Sequence, residues 1–463
     1  MDPVATGELL AILMFVGVIA VLMLGFPVAF SLAGTALIFS FVGWMLGIFD
    51  PSNFGALASR YIGFMTNEVL VAVPLFIFMG VVLERSGIAE RLLSTMGRVF
   101  GNMRGGLGIS VVLVGTLLAA STGVVGATVV TMGLISLPAM MRAGYDPKLA
   151  CGVICASGTL GQIVPPSTVM IFLGDMLAGI NAQVQMAKGN FSPSVVSVGD
   201  LFAGSVLPSL VLVGLYIAYM IGKAIFDPKS CPATPPTEAE RKALVADVFR
   251  ALVPPLLLII AVLGSIIGGF ATPTEAASVG AVGALVLVAA HRSLNLRMLR
   301  EAIESTARVT SMVFVLLLGA AVFSVVFRMM GGDDLVHELL SDLPGGMMGA
   351  LVAVMIVMFL LGFVLDTFEI IFIIIPITAP ALLYMGMDPI WLGVIVGVNL
   401  QTSFMTPPFG FALIYLRGVA PGHVTTGHIY RGVAPFVALQ AIAISLVVLV
   451  PQLATWLPKM LYH

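Results

Sequence analysis

Pro138-Ala139, Gly144, Asp146-Pro147 and Pro165-Pro166 return 242 residues later as Pro380-Ala381, Gly386, Asp388-Pro389 and Pro407-Pro408. Of the 29 positions from 138 to 166, seven match their counterparts without a gap, and five of the seven are Pro or Gly. These are the residues that helix interiors exclude, because Pro removes a backbone donor and Gly costs conformational entropy. The spacing therefore predicts two halves built alike, each carrying an interrupted helix. In an apolar chain, paired interruptions at corresponding places are the strongest sequence-level pointer to a transport site.

The chain is apolar throughout. Of 463 residues, 59% are hydrophobic and 10% charged, against about a quarter charged in a soluble domain. With a mean hydropathy of +1.12, this composition describes an all-α polytopic membrane protein. The net charge of −2 argues against a nucleic-acid partner. Three cysteines give no disulfide framework and read as small packing residues. The first apolar run follows Asp2 and Glu8 without a basic leader, so it reads as a retained membrane helix.

Apolar segments fall at 8–24, 26–48, 68–84, 149–173, 203–224, 251–268, 276–291, 309–328, 391–416 and 433–450. Two more, 107–140 and 347–383, exceed one crossing of ~20 residues. Each has a polar or glycine-rich middle: Ser121-Thr122-Gly123 in one, Asp366-Thr367 in the other. A re-entrant hairpin suits both, since irregular backbone at membrane depth survives only under cover of protein or a water-filled cavity. The expectation is about ten transmembrane helices plus two re-entrant hairpins.

Basic residues set the orientation. With the N-terminus outside, only Arg60, Lys188, Arg328 and Lys459 of the 21 Lys and Arg face outward, together with the acidic 331–346 loop. Five crossings, an odd number, then separate Pro138 from Pro380, so the second half is inverted relative to the first. The polar, proline-rich stretch 227–242 reads as the linker between the halves.

Asp366 and Glu369 are the costliest residues, each worth ~2.5–3.5 kcal/mol of insertion penalty at membrane depth. They read two ways: as a cation or proton site, or as caps on the hairpin's second helix. Ser121–Thr128 at the first tip combines hydroxyls with glycines, which lets carbonyls turn inward as a Na⁺ oxygen shell requires; close packing of small residues is the plainer reading. Ser157–Ser167 and Asn399–Gly410 contain the double prolines that free upstream carbonyls, for a bound cation or for repair by Ser and Thr. The interruption at Gly268–Ala277 has no repeat partner and reads as a helix start capped by Thr272 or Thr274 ahead of Glu275. The five histidines fall at predicted helix ends or loops, and no His-Glu-x-x-His or Gly-x-Ser-x-Gly occurs. No enzyme is expected, and the 27 Met read as core filler.

Together, Ala-Thr-Pro-Thr-Glu-Ala-Ala at 271–277, Gly-x-Asp-Pro at 386–389 and Thr-Pro-Pro-Phe-Gly at 406–410 resemble the large membrane subunit of a TRAP (tripartite ATP-independent periplasmic) transporter along the whole chain. That resemblance implies an inverted-repeat, elevator-type fold of the ion transporter superfamily kind, in a bacterial inner membrane with the N-terminus periplasmic. It implies Na⁺ as coupling ion with no other cofactor. It also implies a small four-helix membrane subunit and a periplasmic substrate-binding protein that delivers a small organic acid. By position, one Na⁺ site would join Ser121, Thr122 and Gly126 of the first tip to Ser157, Gly158 and Gly161. A second would join Asp366 and Thr367 to Asn399, Thr402 and Thr406. Substrate would meet Thr128, Thr159, Gln162, Pro165 and Ser167, and Glu369, Gln401, Ser403 and Pro407.

The implied division has scaffold helices at 1–106, 176–346 and 418–463, and a moving transport domain at 107–175 and 347–417. Val124-Val125 depart from the serine-rich first tip of many relatives, which favours backbone over side-chain ligands there. The alternative is a stand-alone sodium- or proton-coupled carboxylate symporter on the same plan, without a binding protein.

Overall fold

Inside a membrane each backbone N–H and C=O must be satisfied within the protein, and a helix does this within one segment. The computed structural model describes residues 3–123 and 125–462, the side chains of Ser121, Thr122, Ala239 and Ala243 excepted, and among them only helices, turns and irregular loops occur. Among the described residues, ten helices are long and apolar enough to cross a membrane, or up to twelve if each of two bent pairs counts as one span. Two of the ten, Val125–Arg142 and Thr367–Tyr384, are second arms of the hairpins.

The first hairpin runs Gly106–Thr122 into Val125–Arg142, turning at Gly123, whose φ of +61° is left-handed. The second runs Gly346–Leu361 into Thr367–Tyr384. Within each, the two arms pack on one another. The repeated turn is also realised twice: Gly144 (φ +79°) and Gly386 (φ +97°) precede helices that begin at Pro147 and Pro389. Both Pro165-Pro166 and Pro407-Pro408 are cis. One expectation is corrected, because Pro138 and Pro380 do not break their helices. They lie inside Val125–Arg142 and Thr367–Tyr384.

The chain forms two compact units. The first comprises Met1–Leu70, Asp175–Val196 and Arg308–Pro389; the second comprises Val71–Gly174, Ser197–Ala307 and Ile390–His463. In the first unit, Pro3–Met23 packs on Val28–Met45, and Gly332–Ser341 packs on Thr367–Tyr384. Gly7 lies against the carbonyl of Met330, where an added Cβ would stand 2.8 Å from the oxygen. In the second unit the most extensive helix pair is Pro147–Thr159 against Thr426–Leu449. Small residues permit that approach, with Gly152 facing the backbone of Gly432 and Gly432 facing that of Lys148. Met side chains fill gaps over glycines, as Met79 does at Gly280.

Two polar stretches carry more structure than their composition suggests. The arginine-rich loop after Arg85 contains the amphipathic helix Ile88–Val99, which buries Ile88, Leu92 and Met96 at helical spacing. Arg98 on its polar face pairs with Asp247 at 2.9 Å. The 227–242 segment lies within the second unit and is not a free tether. Carbonyls of Ser230 and Cys231 accept from the N–H groups of Asp146 and Gly105 (both 2.9 Å), and the Thr234 N–H donates to Gly101 (2.8 Å). Backbone groups at the hairpin base are thereby satisfied, and from Glu238 the chain is helical again behind a Thr237–Glu240 capping box.

Candidate functional site

Two helices of the second unit stop short at matching positions. Pro147–Thr159 passes through one 3₁₀ turn, Leu160–Gln162, before the first double proline; Pro389–Met405 ends just ahead of the second. The ends are polar yet buried: Ser157, Thr159, Gln162, Ser167, Gln401 and Ser403 are all fully buried. Asn399 and Thr402 are buried too, while Thr406 and Pro407 are half-buried. Such residues at the ends of apolar helices require internal partners.

Much of the repair comes from hydroxyls. Ser167 Oγ donates to Gln162 O at 3.0 Å, and Ser209 Oγ, from helix Val198–Phe226, donates to Ile163 O at 3.1 Å. Thr402 Oγ1 donates to Val398 O at 2.9 Å and Thr406 Oγ1 to Thr402 O at 2.7 Å. The breaks are joined directly by Gln401 Nε2, which donates to Thr159 Oγ1 at 3.4 Å.

The first hairpin tip is built onto the same place. Gly115 lies against Ser157, and Gly158 against Val129 of the second arm, so each approach leaves no room for a side chain. Gly161 faces Ala119 O, 3.3 Å from where a Cβ would stand. Thr168 Oγ1 donates to Gly123 O at 3.1 Å and fastens the tip to the helix beyond the break. Gly126 lies against the ring of Tyr415, and Thr128 is buried. Of the tip residues named from sequence, Val124 and the side chains of Ser121 and Thr122 lie outside the described residues. Gly126, Thr128, Ser157, Gly158, Thr159, Gly161, Gln162, Pro165 and Ser167 share this unit with Asn399, Gln401, Thr402, Ser403, Thr406 and Pro407.

Asp366, Thr367 and Glu369 belong to the first unit. There both carboxylates cap the hairpin's second arm. Asp366 Oδ1 accepts from the Thr367 N–H at 2.7 Å, and Glu369 Oε2 accepts from the Asp366 N–H at 2.8 Å. This is a capping box, and it is the structural one of the two readings the sequence left open. The same device starts the helix at Pro273, where Thr272 is the cap and Glu275 its partner at 2.8 Å.

Sequence reasoning missed a third membrane-depth carboxylate. Asp175 lies within the apolar helix Thr168–Ala187 and accepts from Asn67 Nδ2 at 2.8 Å, while Asn67 Oδ1 accepts from the Val69 N–H. The signal was an acid two residues beyond the expected end of that crossing. Also missed was a cavity of about 490 Å³ in the first unit, between the acidic helix Gly332–Ser341 and the Pro380–Tyr384 end of the second hairpin. His337, expected at a helix end or loop, stands mid-helix on its wall, and His463 lies outside the described residues.

Buried polar ends on two helices broken at equivalent positions define a membrane transporter of the discontinuous-helix kind. Residues 15–453 match the family model of the tripartite ATP-independent periplasmic transporter, DctM component. The C4-dicarboxylate TRAP transporter large permease protein of Rhodobacter capsulatus is 29% identical over 452 residues, covering 97% of this chain and 99% of that one. The ectoine/5-hydroxyectoine large permease of Ruegeria pomeroyi is 28% identical (97% and 98% covered), and the sialic acid large permease of Vibrio cholerae 28% (96% and 97%). Among solved structures, the YdaH transporter of Alcanivorax borkumensis superposes with a TM-score of 0.61 over 88% of each chain at 17% identity, a likeness of fold. The chain belongs to the DctM family: it is the large permease component of a tripartite, ATP-independent transporter, a multi-pass membrane protein and not an enzyme.

Proposed function

We propose that this permease carries out sodium-coupled uptake of a small organic acid, handed over by a periplasmic binding protein and moved by an elevator motion beside a small membrane subunit. The observation that carries the proposal is the pair of broken helices ending in buried polar residues and linked through Gln401 and Thr159. An ATP-independent transporter must draw on an ion gradient or on the substrate's own. The oxygens of Ser157, Gly158, Gly161 and Gly123 are of the kind a hard monovalent cation takes; so are those of Asp366 and Thr367 within the first unit and those of Asn399, Thr402 and Thr406 within the second. An acid substrate fits the large permeases of this family, whose names include C4-dicarboxylate and sialic acid. Three-part membership favours partners over the stand-alone symporter plan. With basic loops inside, the N-terminus is periplasmic.

The test is thermal stability of the purified protein in Na⁺ against choline at equal ionic strength. A ligand that binds only the folded state stabilises by RT ln(1 + [L]/Kd), about 2.7 kcal/mol at a hundredfold excess over Kd. A saturable, Na⁺-specific rise is expected. Indifference to Na⁺ up to high salt would remove sodium as the coupling ion and turn attention to protons at Asp366 and Glu369.

A further inference from the structure

The side chain of Gln401 is fully buried, and its Oε1 has no hydrogen-bond partner among the described residues. The orientation of the amide follows from its neighbour. Thr159 Oγ1 spends its one hydrogen on Ala156 O at 3.0 Å, so towards Gln401 it can only accept. Gln401 must therefore present Nε2 to Thr159, as it does at 3.4 Å, which turns Oε1 away as an acceptor. The hydroxyls of Ser157, Ser167, Thr402 and Thr406 cannot serve it, because each donates to a backbone carbonyl. A buried acceptor of this kind calls for a donor.

We propose that Gln401 Oε1 receives the hydroxyl hydrogen of the transported acid, which makes the substrate a hydroxy acid and Gln401 the residue that selects it. This rests on the organic-acid reading above. The chemistry favours a hydroxyl over a cation at this atom, because a cation takes several oxygens at once, whereas a single amide oxygen matches a single donated hydrogen. It also favours a hydroxyl over an ammonium, which in a dry site seeks a carboxylate partner where Gln401 offers a neutral amide. Specificity of this kind is strong, since an analogue lacking the hydroxyl leaves the acceptor buried and unpaired.

The experiment titrates the full chain, purified with its small membrane partner in Na⁺, with two matched pairs: malate against succinate, and lactate against propionate. Members of each pair differ by one hydroxyl, and half-saturation is read from thermal stabilisation. The wild type should prefer the hydroxylated member of at least one pair by roughly tenfold or more, the equivalent of one hydrogen bond. Gln401→Met should bring the two members to within about twofold while keeping the acid-free response to Na⁺. Thr159→Val, which frees the amide to turn over, should lower the preference too, and it decides the matter if Gln401→Met does not fold.

Equal binding of both members by the wild type, or a preference that survives Gln401→Met, overturns the proposal. So does loss of the acid-free Na⁺ response in that variant, which would give Oε1 to the cation. If none of the four acids binds in Na⁺, the reading of the substrate as a small C3 or C4 carboxylic acid fails with the proposal, an outcome distinct from equal binding of both members.

Discussion

Thr159 and Gln401 occupy the same position in the two repeats, 242 residues apart, and they are hydrogen-bonded to each other at 3.4 Å. When counterparts of a repeat meet, they do so where the copies come together. Here that meeting point is also where both helices stop and where a fully buried side chain still has an acceptor to satisfy. A duplicated break alone would be satisfied by hydroxyls bonding back to the backbone, as Thr402 and Thr406 do. The unequal pair, a hydroxyl facing an amide, is what gives the meeting point a direction and a chemistry.

The contact between Pro147–Thr159 and Thr426–Leu449 depends on having no side chain at two positions. A Cβ on Gly152 would enter the backbone of Gly432, and one on Gly432 would enter the backbone at Lys148. Gly432→Ala and Gly152→Ala should each cost about 1–3 kcal/mol of stability, the usual penalty of overpacking. Gly214→Ala, with nothing within 4 Å of its added methyl, is the control and should be neutral or slightly stabilising. Thermal unfolding in detergent checks all three, and equal melting temperatures would contradict the close approach.

Asp366 separates a capping role from a coupling role. Asn caps a helix about as well as Asp, whereas Ala does not and costs about 1 kcal/mol. Asp366→Asn should keep the stability of the hairpin's second arm yet weaken sodium dependence, while Asp366→Ala should lower both. Thr406→Val should weaken sodium dependence without loss of membrane insertion. Uptake measured against Na⁺ concentration reads the coupling and thermal unfolding reads the cap. Unchanged sodium dependence in Asp366→Asn and Thr406→Val alike would remove both from the ion site.

Thr168 fastens the first tip by donating to Gly123 O at 3.1 Å. Thr168→Val keeps the shape of this buried side chain and removes the donor, at a cost of about 1 kcal/mol. Hydrogen exchange should speed up at the Gly123 amide, which is bonded to Ala119 O at 3.2 Å, and leave the base of the hairpin unaffected. Exchange that rises uniformly along Gly106–Thr122 would mean that the hydroxyl stabilises the hairpin as a whole and does not latch its tip.

What the sequence disclosed and what it hid follow one division. Features set by neighbours a few residues apart were legible: the Gly144 and Gly386 turns, the double prolines, and the Thr272–Glu275 cap, whose spacing is itself the signal. Asp366 and Glu369 were legible as a pair, and the alternative of capping was written in the same spacing. The amphipathic face of Ile88, Leu92 and Met96 was present, but it lay inside a loop read for its arginines. Pro138 and Pro380 matched as punctuation and proved to be helix-internal, because a proline's effect depends on what the surrounding helix tolerates. Long-range partners were beyond reach. Nothing local marks Ser209 as the donor to Ile163 O, or Asn67 as the partner of Asp175 from 108 residues away.

That last pair permits the cleanest energetic test. Asn67 stands between helices Gly55–Thr66 and Glu68–Arg85. Its side chain caps Val69 and donates to the Asp175 carboxylate at 2.8 Å. Asn67→Leu removes both bonds and leaves the carboxylate without that donor at membrane depth, where ionised groups are expensive. The same substitution in an Asp175→Leu background loses only the cap. A double-mutant cycle should therefore show a coupling of about 1–3 kcal/mol, within the range found for residues sharing one network. Asp175→Asn, which still offers an oxygen to Nδ2, should stay close to wild type in stability. Additive effects of the two leucine substitutions would mean that the contact carries no energy.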